Sequence, residues 1–96
     1  MKYFHRTHLA PAAVLAEAAS FLGAQLSPVE EHPHRRRFAG AIGQVVVTVQ
    51  AEGGHYTLVT VETDQVGESE ADKLAKRFLT VLHTVADPKH RPIGAY

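Results

Sequence analysis

From Lys2 to Leu9 the chain alternates, with Tyr3, His5, Thr7 and Leu9 on one side and Phe4, Arg6 and His8 on the other, which predicts a first strand. Pro11 then stands where the first residue of a helix tolerates a missing N–H, and Val14, Leu15, Ala18, Phe21 and Leu22 follow at helical spacing. Gly23 supplies a stop, so a helix is predicted from Pro11 to about Leu22. Residues 24–33 hold Pro28, Pro33 and the polar run Glu30, Glu31, His32, and read as a connecting loop. The period then changes to two. Arg35 to Phe38, a turn at Gly40 to Gly43, Gln44 to Glu52, Gly53-Gly54 and His55 to Asp64 make two consecutive hairpins.

Taken as a two-residue primed turn, Gly53-Gly54 sets Glu52 opposite His55, Ala51 opposite Tyr56, Val49 opposite Leu58, Val47 opposite Thr60 and Val45 opposite Glu62. After the hairpins, Ser69 precedes an acidic first turn, and Ala71, Leu74, Ala75, Phe78, Val81, Leu82 and Val85 recur at spacings of three and four. This predicts an amphipathic helix ending near Ala86, because Asp87-Pro88 cannot continue it. The tail from about residue 88 to 96, with Pro92 and Gly94, reads as irregular. Nothing repeats and nothing resembles a linker. Residues 1–96 therefore read as one α+β domain of order β-α-β-β-β-α, with an antiparallel sheet packed on a long C-terminal helix.

That register sorts side chains onto two faces. Phe38, Val45, Val47, Val49, Ala51, Tyr56 and Leu58 form the expected core face, covered by Leu74, Phe78, Val81, Leu82 and Val85 and closed at one end by Phe21 and Leu22. The opposite face receives Val46, Val59 and Val61 among Thr48, Thr57, Thr63, Gln44 and Gln50, with Arg35 and Arg37 one strand over. Three valines there have two explanations: strand propensity alone, or an apolar centre inside a basic rim that meets a partner. Ile93 and Tyr96 of the tail offer a third cover.

Leu9-Ala10-Pro11 opening the first helix, the Gly53-Gly54 hairpin and the amphipathic run Leu74 to Val85 give a topology that resembles the helix-grip and TATA-binding-protein-like folds. In these a curved antiparallel sheet wraps one long helix. START-like members of the group hold a hydrophobic ligand between sheet and helix, so the resemblance implies a pocket lined by Phe21, Phe38, Val47, Val49, Leu58, Phe78 and Leu82. The chain has fewer strands than those members, which implies a reduced version whose concavity is filled by its own side chains.

Composition narrows the function classes. Ninety-six residues with 45% apolar content support one modest core. The chain has no cysteine, so disulfides, thiolate nucleophiles and thiolate metal sites are excluded. No run of eighteen apolar residues and no apolar signal core occur, so neither membrane insertion nor secretion is expected and the cytoplasm is the default. Ten basic and ten acidic residues cancel, yet residues 38–72 hold six acids and no Lys or Arg. That acidic middle opposes nucleic-acid binding, which Arg35, Arg36 and Arg37 on a sheet would otherwise suggest.

Seven histidines require a metal reading. His32 and His34 flank Pro33 with no third ligand at a completing distance in sequence, and His5 and His8 fall on opposite sides of a strand. His83 lies one step off the apolar stripe of the last helix, as a partly buried structural residue does. No metal site, cofactor or catalytic motif is expected. The leading expectation is a small non-enzymatic interaction domain, a homodimer or an accessory subunit, using Arg35, Arg37, Val46, Thr48, Val59 and Val61. The alternative is a carrier or sensor of a small hydrophobic molecule held between sheet and last helix.

Overall fold

A computed structural model describes residues 1–86. The expected irregular tail and the cover by Ile93 and Tyr96 lie outside the described residues. Five strands, β1 (Lys2–Thr7), β2 (Ser27–His32), β3 (Arg35–Gly40), β4 (Gly43–Glu52) and β5 (Tyr56–Thr63), form one antiparallel sheet in the order β1-β5-β4-β3-β2. Two helices, α1 (Pro11–Phe21) and α2 (Glu70–Ala86), pack against one face of it. The α+β class and the order of the expected elements hold, and one further strand, β2, forms in the stretch read as a loop.

The helices start and stop for local reasons. Ala10 is extended and Pro11 opens α1 without a side-chain cap. At the other end Gly23 is required, since a Cβ there would stand 2.2 Å from the Ala19 carbonyl oxygen. At the start of α2, Ser69 Oγ accepts the Asp72 amide at 3.1 Å, and Asp72 Oδ2 accepts the Glu68 amide at 3.1 Å. Asp72 is wholly buried, yet every side of its carboxylate is occupied: the Tyr3 hydroxyl donates to Oδ1 and Lys76 Nζ lies 3.3 Å from Oδ2. Burial pushes its pKa up, but the hydrogen bonds from Tyr3, the Glu68 amide and Lys76 outweigh burial and hold it below the usual carboxylate range. One residue thus caps α2 and ties it to β1.

The loop between β4 and β5 corrects the expected register. It has three residues, Gly53, Gly54 and His55, with φ of 58° and 74° at the two glycines, and Glu52 pairs with Tyr56. The His55 amide donates to the Glu52 carbonyl at 3.2 Å. The extra residue shifts β5 by one, so Val49 faces Val59, Val47 faces Val61 and Val45 faces Thr63. A slip of one exchanges the faces of a strand. Val59 and Val61, expected outside, are fully buried, while Leu58 lies outside and Tyr56 is exposed. The driving force is burial: each valine removed from water is worth about 1.5 to 3 kcal/mol.

The core is one cluster between the sheet's inner face and the helices. Val14, Leu15, Ala18 and Leu22 come from the α1 region, Phe38, Val45, Val47, Val49, Val59 and Val61 from the sheet, and Leu74, Phe78, Leu79 and Leu82 from α2. The Phe21 ring stacks toward Phe78 with centroids 6.3 Å apart. Thr57 is buried beside this cluster and donates its hydroxyl to the Leu9 carbonyl at 2.7 Å, so its polar atom is satisfied.

Candidate interaction surface

Both helices cover the inner face, so the outer face of the sheet stays uncovered by any described element. Cross-strand pairing arranges it in rows. One row runs Lys2, Glu62, Val46, Arg37, Glu30, and the next runs Phe4, Thr60, Thr48, Arg35, His32. A third begins Arg6, Leu58, Gln50. Charges along the rows are largely neutralised in place. Lys2 Nζ is 3.6 Å from Glu62, and Arg6 Nε is 2.8 Å from Glu52. On the other side, Glu30 gathers three groups: His32 at 2.9 Å, Arg37 at 3.3 Å and Arg35 at 3.9 Å.

Between these clusters lie the apolar members. Val46 and Leu58 are half-buried under longer neighbours, whereas Phe4 is 61% exposed, with Lys2 Nζ 5.6 Å from its ring centre. A depression of about 350 Å³ runs from Arg35 and Arg37 across Val46 to Glu62 and Asp64, a basic wall facing an acidic one. Asp64 is fixed there by the Gln44 amide at 2.8 Å, and that hydrogen bond, with one from Gln65, holds its pKa below the usual range. Gly43, at φ 125°, allows this approach, because a Cβ would come within 2.7 Å of Asp64 Oδ1.

Of the six residues expected on this surface, Arg35, Arg37, Val46 and Thr48 share it, while Val59 and Val61 belong to the core. The apolar centre is therefore smaller than expected, with Thr48 and Thr60 at its middle. Phe4, Glu30, Leu58 and Glu62 belong to the surface but were not among those six. The alternation of β1 already placed Phe4 beside Arg6. Nothing in the sequence linked that side of β1 to the face carrying Arg35, because the two strands are far apart in order.

Five of the seven residues expected to line a ligand pocket, Phe38, Val47, Val49, Phe78 and Leu82, are buried in the core. Val47, Phe78 and Leu82 retain no accessible surface and Phe38 and Val49 retain 1% and 3%, so no void of even water size borders the first three. Leu58 points to the other face and Phe21 is half-buried against Phe78. The seven residues thus serve as core and surface in separate places.

Among the described residues no group of three side chains is placed to hold a metal ion. His5 and His83 line one depression of about 270 Å³ at the end of α2, where burial, then the charge of His83, lower the His5 pKa. His8 packs on Tyr56 with ring centres 4.9 Å apart. No described helix is long and apolar enough to cross a membrane. No family model, curated protein or solved structure matches this chain.

Proposed function

We infer that this protein is a non-enzymatic interaction domain, acting as a homodimer or an accessory subunit, and that it works through the outer face of its sheet. One observation carries the reading: both helices lie on the inner side, leaving outside a five-stranded face with half-buried Val46 and Leu58 among paired charges and the 61% exposed Phe4 on its β1 edge. An apolar spot within a charged rim is how interface patches are built. The filled inner side favours this reading over ligand carriage. The likeness to reduced helix-grip domains belongs to the same proposal, with the concavity packed rather than hollow.

Native mass measurement tests it, on the purified chain and on its assembly in cell extract. The wild type is expected above its 10.5 kDa chain mass in at least one of them. The outer-face variant Phe4→Glu should return to chain mass while keeping its circular dichroism. A chain that stays monomeric in both settings removes the basis for the reading.

A further inference from the structure

The two edges of the sheet are built differently. At the β2 edge, Pro28 lacks an N–H, the ladder breaks between Pro28 and Glu30, and Glu30 and Glu31 are acidic. Proline, a bulge and adjacent charge are the devices by which proteins stop another strand from adding. The β1 edge has neither proline nor bulge, and its two charges, Lys2 and Arg6, stand beside Glu62 and Glu52 of the neighbouring strands. Lys2 to Thr7 pair with Glu62 to Thr57 in unbroken register, without proline, glycine or bulge.

The hydrogen-bonding phase of β1 is also defined. Met1 and Thr63 exchange both backbone bonds, Met1 nitrogen to Thr63 oxygen at 3.1 Å and Thr63 amide to Met1 oxygen at 2.8 Å. Antiparallel ladders alternate, so Tyr3, His5 and Thr7 bond to β5, and Lys2, Phe4 and Arg6 turn their N–H and C=O groups away from it. Those same three residues carry the outer-face side chains of β1, with Phe4 in the middle.

We propose that β1 is a self-pairing edge: two copies join β1 to β1 antiparallel about a two-fold axis through Phe4, making one continuous ten-stranded sheet. This rests on the interaction reading above and names its partner and its geometry. In that register Phe4 faces Phe4 of the second copy and Lys2 faces its Arg6, so all three outward-turned residues exchange bonds, about six in total. Registers centred on Tyr3 or His5 keep only two such pairs within the strand. The axis maps outer face onto outer face, so the helices of both copies stay on one side and the exposed rows become continuous.

A second copy is favoured over a foreign strand because Lys2, Phe4 and Arg6 are spaced evenly about Phe4, so the strand is its own complement. The chain is formally neutral, so copies do not repel at long range. Glu62 and Glu52 stand beside Lys2 and Arg6 as counter-charges, which offsets the approach of the two cations across the axis.

Sedimentation equilibrium on wild type, Phe4→Lys and Val29→Lys, with amide hydrogen exchange at low and high protein concentration, tests the proposal. Val29 is 57% exposed on the opposite edge and serves as the control. The wild type should reach twice the chain mass, Phe4→Lys should weaken the dimer by about tenfold or more, and Val29→Lys should leave it unchanged. Protection of the Lys2, Phe4 and Arg6 amides should rise with concentration. A dimer insensitive to Phe4→Lys, or lost in Val29→Lys, overturns self-pairing, as do amides whose exchange ignores concentration. A chain monomeric alone but held in a larger assembly in extract also overturns it while sparing the interaction reading. Monomers in both settings overturn the two together.

Discussion

Val46 and Val47 are neighbours on β4 and differ in almost everything else. Val47 faces Val61 and has no accessible surface, whereas Val46 sits in a row of charges and is half-buried by their stems. The same contrast holds for acids. Asp72 on the inner side is wholly buried and meets Tyr3, Lys76 and a backbone amide, while Glu62 outside is half exposed with one lysine nearby. What matters is the side of the sheet, not the residue type: the inner side requires every atom to be placed, and the outer side lets charged and apolar side chains stand half in water.

The largest test of that division is Val59→Lys. On an outer face it would be tolerated, but buried opposite Val49 it places an unpaired cation in the core, and a loss above about 4 kcal/mol, enough to unfold a small domain, is expected in denaturant titration. A stable, folded Val59→Lys protein would break the assigned register. Next is Asp72→Asn against Glu62→Gln. The first should cost about 2 kcal/mol, or about 8 to 16 °C in Tm, and the second under about 0.5 kcal/mol.

The pH dependence has a definite sign. Because the folded pKa of Asp72 lies below its unfolded value, its contribution is complete above the unfolded carboxylate range and disappears as pH falls through the folded pKa. The gap between wild type and Asp72→Asn should therefore shrink on acidification, and a gap that widens would contradict the assignment. The smallest contrast compares two truncations: Val47→Ala should cost about 2 kcal/mol and Val46→Ala less than about 0.5 kcal/mol by the same titration.

How much of this was legible in the sequence depends on how far apart the deciding residues are. Both helices were, since spacing and punctuation at Pro11, Gly23, Ser69 and Pro88 are local signals. The β4–β5 hairpin was legible as a hairpin but not in phase. Two glycines suggest a two-residue turn, and only the pairing of Val47 and Val49 with Val61 and Val59 shows that His55 belongs to the loop. One uncounted loop residue moved Val59 and Val61 from the core to the candidate site. The β2 strand was missed because its proline and acids, which keep its free edge closed, are also the residues that mark loops. Phe4 was placed on the correct side of β1, but its neighbours on the face come from residues 30 to 60, and no local pattern reports them.

The bond from the Tyr3 hydroxyl to Asp72 spans 69 positions of the chain, and β1 finds its only described strand partner in residues 57–62. Synthesis from the N-terminus leaves β1 waiting while four strands are made, and the cap of α2 closes the structure last. Non-local pairings of this kind slow folding and keep strand edges open in the interval. Among the described strands, the earliest made is thus the one that waits longest for its partner.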